Sequence, residues 1–554
     1  MRFFAGLIVG MMVLASVAGI VSGAEEDDTC AVLIDFGNGQ VMWADVPVSE
    51  GMNAFDALVN ATDKLGLDLV YKDGEHGIWV ESIGGPGANI ANHWWGFLTW
   101  DDAEDSWAPA SAGVLDISID SGDAIAFSST SFSSWTPDVP AVTPNHRYSW
   151  TSFRHDVLNS GMQGMVSIKL SDLKWSIGLE KGFISSSVVG ANGLVYIFDG
   201  GDMFDDNASS ALYCLNMDGE IVWKNIIESG YQITSPLLHN STVIVSTADG
   251  YVRAFDATIG SLMWEFDAES RTVGFDNGIT SSPAAYLGDI IVATSNGTLI
   301  SINATSGVRN WNVSVGAKIY SSSPAMYNDI IYIGDEAGHV LAYDAGSGEE
   351  VWSNSAGAGG IRASPLIDAA KGQVVVTSNA KGTEEGKITA LNLTDGEMIW
   401  QTAIGGTSAS AALSSKGYVI ATATDVILVD FDGKKLWSYD LGETFGGGAP
   451  TIIGDKIFTV TNEESSRLIC VDLNGKLSKE VTLEPAQWTL CSPTFIDGLL
   501  FVTSNNGHVY AFSIVEDNGD EGNNNPWFLI GGIAGIVLIA AIGLVYWNGK
   551  RKGE

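Results

Sequence analysis

The side chains with the chemistry for a site fall into a few small groups. The densest is DGGDMFDDN at 199–207, where Asp199, Asp202, Asp205 and Asp206 crowd hard oxygen ligands of the kind calcium takes. The loop lacks EF-hand spacing and a following glutamate, so it reads either as a calcium loop or as a solvated acidic loop. A second acidic run, Asp101, Asp102, Glu104 and Asp105, is interleaved with large rings, Trp94, Trp95, Trp100 and Trp107. Those rings either line a ligand surface or, in alternation, fill the core of a small domain. Cys30, Cys214, Cys470 and Cys491 lack zinc-binding spacing. They suit one or two disulfides in an oxidising compartment, with Cys470 and Cys491 nearest in sequence, or buried thiols. The histidines are scattered: His76, His93, His146, His155, His239, His339 and His508. His339 and His508 each follow a turn glycine, which marks repeat positions. HExxH, a phosphate loop, GxSxG and a dinucleotide fingerprint are all absent from the sequence, and no catalytic residue is expected.

With 66 acidic against 27 basic residues the formal charge is −39. Such a surface repels nucleic acid and anionic headgroups, and suits cations or a salty medium. No cofactor is expected beyond calcium at the 199–207 loop.

The elements that must position these groups are repeats. From about residue 163 to 513 the chain repeats itself at intervals of roughly 37 to 48 residues. One repeated element is a turn followed by tryptophan, at Trp223, Trp264, Trp311, Trp352, Trp400 and Trp437, and glycine stands four residues before each of these six. SDLKW at Trp175 lacks the glycine, and LNGKLSK around Gly475 lacks the tryptophan. The turn needs a residue tolerant of positive φ, and the tryptophan supplies the apolar surface that packs one sheet on the next. A second element, such as ITSPLL at 233 or IRASPLI at 361, also occurs eight times, each followed by a short β-rich run. Small residues suit the crowded centre of a closed ring. Residues 166–175 read as the third and fourth strands of a unit and 491–514 as its first strands, so the two ends join into one closing blade. The expected fold is mainly β: an eight-bladed β-propeller at 163–514, with a small N-terminal α/β domain and a C-terminal transmembrane helix.

AFDATIGSLMW (254–264) and AYDAGSGEEVW (342–352) resemble pyrroloquinoline-quinone-type propeller repeats, and WTSFRHDVLNSG (150–161) resembles the lead-in segment of such propellers. The quinone alcohol dehydrogenases of that superfamily add a vicinal cysteine pair, which this sequence lacks. Similar repeats occur in non-enzymatic scaffold propellers of the outer-membrane assembly kind, and the resemblance implies that branch here. Residues 25–130 form a separate module. Ala54, Leu58 and Leu65 share one face of a helix within 52–71, and HGIWVESIGG, NHWWGFLTW and SGDAI follow. This pattern resembles the C-terminal domain of transcobalamins, where it helps enclose a corrinoid. Residues 131–162 read as a connector.

The ends suggest export and anchoring. Residues 1–24 read as a signal peptide ending Ser22-Gly23-Ala24. Residues 515–526 read as an acidic stalk, 527–547 as a transmembrane helix containing the apolar run 528–546, and 548–554 as a basic cytoplasmic tail. Seven sequons, at Asn60, Asn207, Asn240, Asn296, Asn303, Asn312 and Asn392, are then glycosylation candidates on the outer side. The sequence points to a single-pass membrane protein whose bulk is extracellular, acting as a binding or scaffold module for a protein, glycan or small molecule. Alternatives are an exported quinone-dependent oxidoreductase and corrinoid or small-nutrient capture by the N-terminal domain.

Overall fold

The computed structural model describes residues 28–517, apart from 37–40, 75–76, 85–92, 105, 133–135, 141, 166, 181, 183, 185, 202–208, 231–232, 271–277, 287, 358, 380–384, 443–447 and 486. The segments expected to be a signal peptide and a transmembrane helix therefore lie outside the described residues. Among those described, no helix is long and apolar enough to cross a membrane.

The N-terminal module is a mixed sheet carrying one helix. Strands β1 (Thr29–Asp35), β2 (Val41–Pro47), β5 (His93–Asp101), β6 (Ser106–Pro109) and β7 (Ala124–Ser131) run in the order β2-β1-β7-β5-β6, with β1 and β7 parallel. Helix α1 (Ala54–Leu65) starts where Asn53 accepts hydrogen bonds from the Phe55 and Asp56 amides at 2.9 and 3.0 Å. The Asp56 carboxylate accepts from the Asn53 amide in return, closing a capping box. Ala54, Ala57, Leu58 and Ala61 bury the helix against one face of the sheet. The hairpin of β3 (Leu69–Gly74) and β4 (Gly77–Ile83) stands beside it as a separate two-stranded sheet.

The rest is propeller-like. Four-stranded antiparallel meanders span 189–227, 237–267, 284–314, 325–355, 366–403, 412–440 and 451–482, and an eighth sheet pairs 494–496, 499–503 and 508–516 with 168–178. The seam differs from expectation in one respect. Residues 491–516 provide three strands and Ile168–Gly178 is one continuous outer strand, so no strand turn falls before Trp175.

Every sheet but the seventh grips the next through a tryptophan. The Trp352 indole donates to the Leu393 carbonyl of the following sheet at 3.1 Å, and Trp264 donates to Ala304 at 2.9 Å. Trp175, Trp223, Trp311, Trp400 and Trp437 repeat the bond across their own junctions. The turn glycine therefore has two causes. Gly396 has φ +70°, and a Cβ there would sit 2.4 Å from the Trp352 ring of the preceding sheet.

Candidate functional site

The ring axis is built from the repeated small-residue segment. The amide of Ser187 donates to Ser235 Oγ, Ser235 to Ser282, Ser282 to Ser323, Ser323 to Ser364, Ser364 to Ser410 and Ser492 to Ser187, over 2.8–3.2 Å. Each of these six bonds ties one sheet to the next one round. Ala449 stands at the equivalent place in the seventh sheet and has no hydroxyl to continue the circuit. These serines line a cavity of about 410 Å³. Among the described residues Arg362 is the one charged residue on its wall, and no carboxylate lines it. The Arg362 guanidinium is held by Glu336 at 2.8 and 3.2 Å and lies over the Tyr320 ring.

Residues 148–163 run round the opposite end of the inner strands. Backbone carbonyls of Tyr148, Trp150, Thr151, Val157, Leu158, Ser160 and Gly161 accept from Asp497, Gly190, Leu238, Met326, Ile367, Leu413 and Ile452, one contact for every sheet but the third. Phe153 of this clasp forms part of the axial cavity's wall. The path bends at Arg154, His155 and Asn159, all with positive φ, a conformation that side chains other than glycine adopt at a cost. The buried Asp156 carboxylate fixes the bends: it accepts from the Leu158 and Ser160 amides at 2.9 and 3.1 Å, from the Ser160 hydroxyl, and pairs with His155. Arg154 is 1% exposed and donates to the Ala411 carbonyl at 3.0 Å. Burial pulls its pKa down to about 9, so it stays charged at neutral pH, with Asp156 as the counter-charge. Gln163 donates to the Val41 carbonyl and Arg147 to Asp45, joining clasp and connector to the N-terminal domain.

The residues singled out by sequence separate into distinct roles. Asp199 is buried and accepts from the Gly182 and Gly201 amides, a loop staple; Asp202, Asp205, Asp206 and Asn207 lie outside the described residues. No group of His, Cys, Asp and Glu suited to a metal occurs among the described residues. The four tryptophans do not share one surface. Trp107 is buried and donates to the Val142 carbonyl at 2.7 Å, with Trp100 edge-on to it. Trp95 packs edge-on against Phe36 at the helix-covered core. Trp94 instead stacks on Trp79, ring centroids 6.5 Å apart and planes 17° apart, and Trp79 is 53% exposed. Sequence reasoning missed Trp79; its place in alternation with buried Val80 was the available signal.

All four cysteines are free and buried, which settles the disulfide alternative against bridges. Burial raises the thiols of Cys30 to about 11 and of Cys214 and Cys470 to about 12. His339 pairs with Asp335 in its own turn, and His508 packs against Gly178, both framework positions. Asn60, Asn240, Asn296 and Asn312 are exposed, while Asn303 and Asn392 are half-buried.

The family model described as outer membrane protein assembly factor BamB matches residues 168–318, 272–425 and 416–520. Among curated proteins, the assembly factor BamB of Yersinia pestis is 22% identical over 57% of this chain and 70% of its own length. That of Moranella endobia is 24% identical over 49% of this chain, which spans 59% of that relative. Among solved structures, BamB from Moraxella catarrhalis has a TM-score of 0.51 at 17% identity, covering 62% of this chain and 100% of that one. The quinohemoprotein alcohol dehydrogenase of Comamonas testosteroni has a TM-score of 0.53 at 14% identity, covering 66% and 80%. At these identities the likeness shows the fold alone.

Proposed function

We propose a function from one premise: this chain belongs to the family described as outer membrane protein assembly factor BamB. On our reading it is a non-enzymatic scaffold, a closed eight-bladed ring that holds protein partners at a membrane. The observation that carries the reading is the coincidence of the family match, 168–520, with the eight sheets. The clasp supports it, because a ring laced along one end and bonded to a second domain is a rigid platform. We further propose that a signal peptide at 1–24 exports the chain and that 527–547 anchors it, leaving both domains outside the cell. The N-terminal domain is read as transcobalamin-like in fold. The 199–207 loop remains our candidate for calcium.

Photocrosslinking in native membranes tests the scaffold role, with a photoreactive residue at Leu490, an exposed residue on the cavity wall. A discrete protein adduct is expected. Calcium-dependent alcohol oxidation by the intact protein with added pyrroloquinoline quinone, without any adduct, would replace the scaffold reading with an oxidoreductase. Stoichiometric cobalamin binding would favour nutrient capture instead.

A further inference from the structure

We propose that Trp79 and Trp94 form a saccharide-binding platform on the N-terminal domain, taking the C–H face of a neutral pyranose ring. Trp79 rests on Trp94 in a near-parallel stack yet remains 53% exposed. Stacking fixes the ring's orientation before any ligand arrives, so little side-chain entropy is lost on binding. An aromatic face carries negative charge density, which suits the weakly positive C–H hydrogens of a sugar.

The neighbours select among ligands. Lys72 lies directly across from Trp79 in the β3–β4 register, and its contact with Glu81, the unpaired residue of a bulge two positions along β4, brings that carboxylate to the same side. Lys72 and Glu81 form an ion pair, with side chains 72% and 34% exposed. The ammonium disfavours a cationic ligand, which an aromatic pair would otherwise attract. The carboxylate disfavours an anionic one. A wholly apolar ligand would desolvate both charges without replacing their hydrogen bonds. A neutral polyol satisfies the arrangement: its C–H face covers Trp79, and its rim hydroxyls both donate to Glu81 and accept from Lys72. Trp95, Trp100 and Trp107 take no part, since they pack inside the domain.

The test uses the intact chain in a detergent without a sugar headgroup, with cellotriose, chitotriose and maltotriose as probes. Saturation-transfer NMR should show contact at pyranose C–H protons, and titration should perturb tryptophan fluorescence. Removing one stacking ring should weaken binding about tenfold, the equivalent of ~1.4 kcal/mol, in Trp79→Ala, with Trp79→Phe intermediate. Glu81→Gln should alter the ranking of the three sugars. Because Trp79 is largely exposed, Trp79→Ala should keep the parent unfolding midpoint, separating lost binding from lost fold. Absence of saturation transfer from all three probes overturns the proposal. So does equal binding by Trp79→Ala, or a preference for tetramethylammonium over every sugar.

Discussion

The junction between the fourth and fifth sheets offers a direct test of why glycine precedes six of the seven blade tryptophans. Trp352 is 7% exposed, and its indole shares the Leu393 carbonyl with the Tyr332 hydroxyl, each at 3.1 Å. In Trp352→Ala the carbonyl keeps Tyr332, so no buried acceptor is orphaned and the loss is one of packing, about 3–5 kcal/mol. Gly396→Ala carries two costs. A side chain at φ +70° is strained by about 1–2 kcal/mol in any background. Its Cβ, 2.4 Å from the indole, also forces the ring aside, an overpacking cost of about 1–3 kcal/mol. Only the second cost depends on Trp352. Urea denaturation of the parent, both single variants and the double variant closes the cycle. Gly396→Ala should cost about 1–3 kcal/mol less in the Trp352→Ala background than in the parent. Additivity within about 0.5 kcal/mol would show that the glycine serves the turn alone and refute the docking argument.

Asp156→Asn leaves the buried Arg154 guanidinium without its counter-charge. It should destabilise the protein by about 1–3 kcal/mol in urea denaturation, the cost of mismatching buried polar groups, and an unchanged midpoint would show that the clasp does not rely on the Asp156 charge. Asp497 accepts from His146 and from the Tyr148 and Gly193 amides, and burial is the largest effect on its pKa, raising it above 3.8. The folded state therefore holds this proton to higher pH than the unfolded chain does. Its contribution is greatest below pH 3.8 and falls as pH rises through the raised pKa. Stability relative to Asp497→Asn should accordingly improve on acidification from neutrality, and parallel pH profiles would contradict it. A thiol reagent at pH 8 should label none of the four buried cysteines in the native protein and all four in urea; native labelling would contradict their burial.

Much of the ring was legible because its constraints are local and repeated. A tryptophan four residues after a turn glycine, and a serine before an inner strand, recur in one chemical form and declare a blade each time. The seam was less legible because its two irregularities answer each other across space. Lys479 occupies the tryptophan's register, opposite Cys470 as Trp223 is opposite Cys214. Its ammonium donates to the Ser171 carbonyl at 2.7 Å. Ser171 stands where other units have glycine. With no indole arriving from the seventh sheet, the eighth needs no glycine to receive one. Each departure looks like decay when read alone; together they are one substituted contact.

The candidate site was harder to read because its parts are distant in sequence and defined by exposure. Four tryptophans within 94–107 read either as a ligand surface or as core filling, and strand alternation and the covering connector bury or pack three of them. The fourth gains its partner, Trp79, from a hairpin that no hydrogen-bonded strand joins to β5. The clasp is a similar case. WTSFRHDVLNSG has no hydrophobic period, since its backbone visits a different sheet every one or two residues along most of its length. Some of its buried polar groups bond to one another, as Ser160 does to Asp156, and others to strand ends far along the chain, as Arg154 does to the Ala411 carbonyl. A segment that takes its order from the finished ring has little pattern of its own to display. The same lacing distinguishes the ring's two ends, because the inner-strand ends that bond to the clasp carry its polar hub, while the serine circuit and Arg362 face the axial cavity. A partner gripping the ring along its axis therefore meets different chemistry at each end, and the cavity wall, which among the described residues carries hydroxyls and one cation but no carboxylate, sets it apart from the acidic remainder of the chain.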